Sequence, residues 1–136
     1  MSLEDIQKKQ VDAINRHDAN AFAAQYATGA IAYDPQYPEP LKGRDEIRKD
    51  IEDFFQAFPD LQARLVSVLA GGDTVASEVE LSGTHKGSLA GPTGAIPPTN
   101  RRIQLRVAGF DRVEGNVITE TRRYYDMAGL MQQLGL

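Results

Sequence analysis

The chain has 136 residues, a length typical of one domain, so we expect a single domain over residues 1–136. Its hydrophobic and charged fractions, 41% and 25%, are those of ordinary globular proteins, which excludes a disordered tail and a fibrous repeat. The absence of cysteine excludes disulfides, thiolate metal sites and cysteine nucleophiles, and two histidines leave little for a histidine metal cluster. A net charge of −4 and the lack of a long apolar run argue against nucleic-acid and membrane partners. We therefore expect a cytoplasmic protein without a metal.

The first half of the chain shows helical periodicity with one short strand. Apolar residues recur at helical spacing near the start, for example at Ile6, Ala13 and Ile14, which predicts one or two helices over residues 3–28. The apolar segment 30–34 predicts a short strand that Pro35 ends, because proline cannot donate to a sheet ladder. A loop with two prolines follows, and a second apolar stripe predicts a helix over residues 45–57.

The second half alternates with the period of strands. Alternation of apolar and polar residues predicts strands at 63–70, 75–81, 103–113 and 117–125, and a final helical turn at 127–134. Residues 84–100, rich in glycine, proline and threonine, are predicted to be a long loop at the rim of a pocket. Helices followed by a run of strands indicate the α+β class.

Four segments of the chain carry a family resemblance. They are Tyr33-Asp34-Pro35 with residues 39–44, Phe58-Pro59-Asp60-Leu61, Gly83-Thr84-His85 with residues 96–99, and Tyr124-Tyr125-Asp126 with residues 129–135. Together they resemble the SnoaL-like polyketide cyclase family, within the nuclear-transport-factor-2-like superfamily that also holds ketosteroid isomerases. The resemblance implies a cone-shaped barrel in which a curved antiparallel sheet packs on N-terminal helices around an apolar pocket. It also implies a homodimer, a hydrophobic small-molecule ligand and no metal or organic cofactor.

Asp34 is the first candidate for chemistry. The Asp-Pro pair after a short strand, followed by a proline-rich loop and Gly43-Arg44, resembles the position of the general-base aspartate in ketosteroid isomerases. A carboxylate at the mouth of an apolar pocket is suited to proton transfer. Alternatively, Asp34 caps the turn at Pro35 or pairs with Arg44.

Other positions depart from the patterns of these relatives. The oxyanion-hole tyrosine of the isomerases falls near Gln10, and their protonated carboxylic acid falls near Gly109. Gln10 can still donate a hydrogen bond to a substrate. The histidine and aspartate of the cyclase pattern fall on Thr121 and Arg123, neither of which can act as a base near neutral pH.

The pairing of the last two strands decides which of their side chains share a face. With a three-residue turn at 114–116, Asp111 faces Thr119 and Gly109 faces Thr121, so Asp111, Thr121 and Arg123 point into the pocket. A one-residue slip would expose them and turn Arg122 inward instead. An inward Arg123 favours an anionic or carbonyl-bearing ligand, or else neutralises Asp111.

Two further residues complete the candidate set. His85 follows Gly83-Thr84 at a strand end, where it either reaches the pocket as an acid, base or donor or is a solvated or backbone-bonded histidine. Tyr125 is placed at the pocket wall. The arginine-rich stretch around 101–106 and 122–123 has no aromatic platform, so a solvated sheet face or a dimer contact is favoured over nucleic-acid binding.

The leading hypothesis is a cofactor-independent enzyme of the cyclase or isomerase type that transfers a proton on a hydrophobic, carbonyl-containing small molecule. Asp34 is its base, or Asp111 if Asp34 has a structural role, and Arg123 and His85 stabilise the enolate. The alternative is a non-enzymatic small-molecule-binding protein or dimeric scaffold. A third reading is an epoxide hydrolase, which requires an Asp-Arg-Asp arrangement of Asp34, Arg123 and Asp111.

Overall fold

The N-terminal half supplies the helices that close one side of the fold. The computed structural model describes residues 2–91 and 93–136. Helix α1 (Leu3–Asn15) begins with a capping box between Ser2 and Asp5, α2 is Ala19–Ala23, and α3 is Arg44–Ala57. Strand β1 (Tyr26–Tyr33) and the short β2 (Leu41–Lys42) separate α2 from α3. Thus α3 is confirmed, whereas the helix expected to reach residue 28 ends earlier and β1 begins at Tyr26.

The second half forms most of the sheet. Its elements are β3 (Gln62–Gly71), β4 (Thr74–Thr84), β5 (Leu89–Gly91), β6 (Gly94–Ile96), β7 (Arg102–Glu114), β8 (Val117–Tyr124) and α4 (Met127–Gln133). The stretch 84–100, expected to be a loop, therefore contains the small β5–β6 hairpin, within which Pro92 lies outside the described residues. The longer strands agree with the predicted segments.

The large sheet has six strands in the order β2-β1-β8-β7-β4-β3. Each neighbouring pair is antiparallel except β1 and β8, which run parallel, so the sheet is mixed rather than purely antiparallel. Helices α1 and α3 pack on it and bury an apolar core that includes Ile47, Phe58 and Ile103. No helix among the described residues is long and apolar enough to cross a membrane.

The β7–β8 hairpin differs from its predicted register in two ways that offset each other. Its turn has two residues, Gly115 and Asn116, so Glu114 pairs with Val117. That one-residue slip alone would reverse the face of every later β8 side chain. A bulge at Thr119, between the pairs Val113–Ile118 and Arg112–Glu120, restores the predicted face.

Candidate functional site

An apolar cavity of about 130 Å³ lies between α1, α3, α4 and the inner face of the sheet. Its apolar lining includes Ile14, Phe54, Leu105, Val107 and Leu130. Most of the polar side chains that face it come from β7, β8, α1 and the segment after β1. The members of this polar set are Gln7, Gln10, Tyr26, Asp34, Gln36, Asp50, Ser77, Asp111, Thr121, Arg123 and Tyr125. A ligand held here would have an apolar body and a polar end.

Asp34, expected to be the base, already accepts three hydrogen bonds. It directly follows β1, where its Oδ1 accepts from the backbone N–H of Gln36 at 2.8 Å and from the hydroxyl of Tyr125. Its Oδ2 accepts from Arg123 at 3.0 Å. The turn-capping alternative is thus observed, and Arg44 instead donates to the backbone carbonyl of Tyr26. Asp34 lines the cavity, but its carboxylate is engaged on both oxygens.

Arg123 lies between two carboxylates. Its Nη1 contacts Oδ2 of Asp34 at 3.0 Å and Oδ2 of Asp50 at 3.1 Å, and the exposed fractions of these carboxylate side chains are only 7% and 9%. Although burial alone would lower the pKa of Arg123, nearby Tyr26, Asp50 and Asp34 raise it well above its ordinary value. The prediction that Arg123 faces the pocket is therefore correct, but Asp111 is not its ion-pair partner.

Asp50 is a carboxylate of the site that the sequence reasoning missed. It lies on the inner face of α3, and the hydroxyl of Tyr37 donates to its Oδ1. Burial raises the pKa of Asp50, against the opposing effect of Arg123. Burial and the nearby Asp50 also raise the pKa of Tyr37. The spacing carried a signal, because position 50 falls within the apolar stripe formed by Ile47, Ile51 and Phe54.

Asp111 belongs to a second polar group in the same cavity. Thr121, directly opposite on β8, donates to its Oδ1, and Gln7 on α1 donates to its Oδ2. Ser77 in turn donates to Oε1 of Gln7 at 3.2 Å. Burial raises the pKa of Asp111, although the hydrogen bonds from Thr121 and Gln7 favour its charged form. Thr121 therefore orients this carboxylate within the cavity wall.

Gln10 has an unsatisfied donor in the cavity. It lies one turn beyond Gln7 on α1, is 7% exposed, and its Nε2 has no hydrogen-bond partner among the described residues. A buried donor without a partner is costly, and a ligand acceptor would satisfy it. The fully buried phenol of Tyr26 lies beside Gln10 and Arg123, and burial raises its pKa.

The prediction that His85 and Tyr125 reach the pocket holds for Tyr125 alone. Tyr125 lines the cavity as expected, and burial together with Asp34 raises its pKa. His85 is away from the cavity lining: it is fully buried, packs on Phe58 and contacts Thr99 through its Nδ1. Burial lowers its pKa, which favours the neutral ring. His85 is therefore a core residue here rather than a pocket acid or base.

The arrangement offers no metal cage in the part of the chain described. Among residues 2–91 and 93–136, no group of three or more histidine or carboxylate side chains is arranged to hold a metal ion. The carboxylates of Asp34 and Asp50 share a protein cation instead. Three buried carboxyl groups, a guanidinium and an amide donor without a partner among the described residues face an apolar cavity, and this set is suited to acid–base work on an uncharged organic molecule.

The sequence profile of the SnoaL-like polyketide cyclase family matches residues 4–134, nearly the whole chain. The chain belongs to this family. No curated protein sequence matches it.

Solved structures share the fold at low identity. AclR from Streptomyces galilaeus, a proposed hydroxylase, is 24% identical with a TM-score of 0.81, over 97% of this chain and 94% of that one. IdmH from Streptomyces antibioticus, a proposed polyketide cyclase, is 24% identical with a TM-score of 0.75, over 98% of each chain. A Catenulispora acidiphila protein with a ketosteroid isomerase-like fold, in complex with trimethylamine, is 19% identical with a TM-score of 0.81, over 99% and 95%. The SnoaL-like fold thus supports different proposed activities, and the site must decide the reaction.

Proposed function

We propose that this SnoaL-like protein is a cofactor-independent enzyme of the polyketide cyclase or isomerase type, which transfers a proton on a hydrophobic, carbonyl-containing small molecule. One observation carries the proposal: the same apolar cavity is lined by the Asp111 carboxyl and by the Gln10 amide, whose N–H has no partner among the described residues. The first can remove a proton next to a carbonyl, and the second can bind the carbonyl oxygen.

Asp111 is a better candidate base than Asp34. Asp34 accepts three hydrogen bonds, one of them from the cation Arg123, whereas Asp111 accepts only from uncharged side chains. Burial instead favours the protonated form of Asp111, which suits a group that accepts a proton from carbon and returns it. In the proposed step the Asp111 carboxylate removes the α-proton, an enolate forms, and the resulting carboxylic acid returns the proton to carbon.

The negative charge of the enolate would form next to donors. Gln10 supplies an amide N–H without a partner among the described residues, and Tyr26 supplies a neutral phenol beside it. Donors that are already in place stabilise an oxyanion without reorganisation. Tyr125 fixes Asp34, and with it the position of Arg123. His85 has no part in this step because it lies outside the cavity.

The test is exchange of α-protons of 2-tetralone, a neutral bicyclic ketone, in D₂O followed by ¹H NMR. We expect the protein to accelerate exchange over buffer and Asp111→Asn to lower that acceleration by about 100-fold or more. The matched control is Glu114→Gln, which removes a carboxylate from the exposed end of the same strand. If Asp34→Asn abolishes exchange and Asp111→Asn does not, Asp34 is the base. If neither variant lowers the exchange rate, proton transfer at this site is refuted.

The alternative is a non-enzymatic small-molecule-binding protein or a dimeric scaffold. Thr121 and Arg123, at positions where the resemblance implies a histidine and an aspartate, favour it, and so do the hydrogen bonds that already engage Asp34. In that case 2-tetralone would bind in the cavity, shifting amide signals of its lining residues, while the unaltered protein would leave the α-proton exchange rate at its buffer value.

Epoxide hydrolysis is a second candidate reaction because an Asp-Arg-Asp arrangement is present. It consists of Asp34, Arg123 and Asp50, rather than the Asp111 expected from the sequence. Formation of a diol from styrene oxide, lost in Asp50→Asn and retained in Asp53→Asn on the exposed side of α3, would favour this reaction.

A further inference from the structure

The charge of Arg123 is fully matched within the protein. With Asp34 and Asp50 both ionised, the three side chains carry a net charge of −1, and with Asp50 protonated they carry zero. Burial raises the pKa of Asp50, so both states are relevant. No net positive charge remains in either state. The carboxyl of Asp111, which faces the same cavity, adds a negative charge whenever it is ionised.

Because its charge is matched by these carboxylates, Arg123 is a poor binding group for anionic ligands. An inward arginine normally suits carboxylate or phosphate ligands, because its planar donors match their oxygens. Here the Nη1 atom already contacts one oxygen from each of two carboxylates. An anionic ligand would approach Asp34, Asp50 and Asp111 without a cation to compensate, and like-charge contacts of this kind are unfavourable.

A buried amide donor in the cavity favours a neutral acceptor. The Nε2 of Gln10 is uncharged, buried and without a partner among the described residues. A ketone oxygen would satisfy this donor and bring no charge into the cavity. A carboxylate would also satisfy it, but only at the cost of burying a further negative charge close to the acidic groups.

We propose that Asp50 is a specificity-determining residue: together with Asp34 it outweighs the charge of Arg123, so that the cavity accepts neutral carbonyl compounds and excludes anionic ones. The inference rests on the proposed function, since it assumes that a carbonyl compound occupies this cavity. It assigns Asp50 a role in ligand selection rather than in the proton-transfer step itself.

Two probes of matched shape test the proposal: 6-carboxamido-2-tetralone, which is neutral, and 6-carboxy-2-tetralone, which is anionic, titrated separately into ¹⁵N-labelled protein at about pH 8. We expect the carboxylate probe to bind about tenfold more weakly than the neutral probe, or worse. Asp50→Asn keeps the side-chain shape and removes one negative charge. We therefore expect it to narrow the difference in affinity between the two probes about fivefold, because the carboxylate probe binds more tightly. Asp53→Asn is the matched control, because Asp53 is on the same helix but exposed and paired with Lys49.

The outcomes separate this inference from the proposed function. If the unaltered protein binds both probes equally, or prefers the carboxylate, the role of Asp50 is refuted, while a carbonyl-binding cavity stands. The inference is also refuted if Asp50→Asn narrows the difference no more than Asp53→Asn does. If neither probe binds any form of the protein, the proposed function fails and the inference with it. The comparison on the unaltered protein needs no variant, so misfolding of Asp50→Asn would not protect the proposal.

Discussion

Asp111 lies directly opposite Thr121 in the β7–β8 ladder, and the Thr121 hydroxyl donates to its carboxylate. The register depends on one extra residue, because without the bulge at Thr119 Asp111 would pair with Glu120 and Thr121 would face the other side. The bulge therefore places on one face the carboxyl group that we propose as the base, the threonine that orients it and Arg123. β-Bulges often redirect side chains next to functional sites.

Burial of Asp111 predicts a pH-dependent effect of Asp111→Asn. In the folded protein, burial raises the pKa of Asp111 above its ordinary value of 3.8. The folded protein therefore loses stability as the pH rises from 3.8 to the raised pKa, because Asp111 must ionise while it is buried. Relative to wild type, Asp111→Asn should gain about 1.4 kcal/mol of unfolding free energy for each pH unit across that window. Urea unfolding at about pH 4 and about pH 8 measures it.

Glu114→Gln is the control for this experiment. It removes a carboxylate from the exposed end of the same strand, where solvent screens the charge, so its effect on stability should be small at both pH values. A difference between Asp111→Asn and wild type that stays constant with pH would contradict the buried placement of Asp111.

The fold was predictable because its signals are local and numerous. The helical stripe of α3 and the alternation in β3, β4, β7 and β8 are repeated over many residues, so single exceptions do not alter the pattern. β1 was harder, because Tyr26 is compatible with a helix until the parallel pairing with β8 is known. That pairing joins segments far apart in sequence, which periodicity does not report.

The site was predictable only in part, for physical reasons. Asp34, Asp111, Thr121, Arg123, Tyr125 and Gln10 all line the cavity, whereas His85 does not. The partner of Arg123 was missed because Asp50 reaches it across the fold from α3, a contact with no counterpart in local spacing. The position of Asp111 and Arg123 on one face was predicted correctly, although the predicted register had the turn one residue too long and lacked the bulge at Thr119. These two errors cancelled.

Gln10→Leu should separate stability from ligand binding. Leucine removes a buried amide donor that has no partner among the described residues, so the ligand-free protein should gain about 1 kcal/mol of unfolding free energy. The same change removes the donor proposed for the carbonyl oxygen, so 2-tetralone should bind more weakly. Chemical denaturation and an NMR titration measure the two effects. A Gln10→Leu protein that is less stable yet binds the ketone equally well would show that Gln10 has a structural partner.

The homodimer expected from the resemblance has a candidate surface on the outer face of the sheet. Phe110 and Tyr124, 37% and 54% exposed, contact edge to face there, and the Arg122 guanidinium lies over the Phe110 ring. Acidic Glu120 beside Arg122 gives this face both charge signs, which suits pairing with a second copy. We expect analytical ultracentrifugation to show a dimer that Phe110→Glu converts to a monomer.

Leu69→Glu provides the control for the dimer experiment. Leu69 is even more exposed than Phe110 but lies on β3, the edge strand at the far side of the sheet. Its replacement adds the same charge without touching the aromatic contact, so the dimer should persist. A monomeric wild type, or equal dissociation by both variants, would exclude the Phe110 surface as the interface.

Arg123→Met should be strongly destabilising near neutral pH. It leaves Asp34 and Asp50 buried without their cation, and loss of one partner from a buried ion pair costs about 3–5 kcal/mol. The loss should shrink as the pH falls, because burial raises the pKa of Asp50 and a protonated Asp50 no longer needs a cation. Arg122→Met is the matched control: Arg122 is the preceding residue, is exposed on the opposite face, and should cost about 1 kcal/mol or less. Urea unfolding of both variants at about pH 7 and about pH 5 measures these losses of unfolding free energy. Equal losses for the two variants would mean that Arg123 is not enclosed between Asp34 and Asp50.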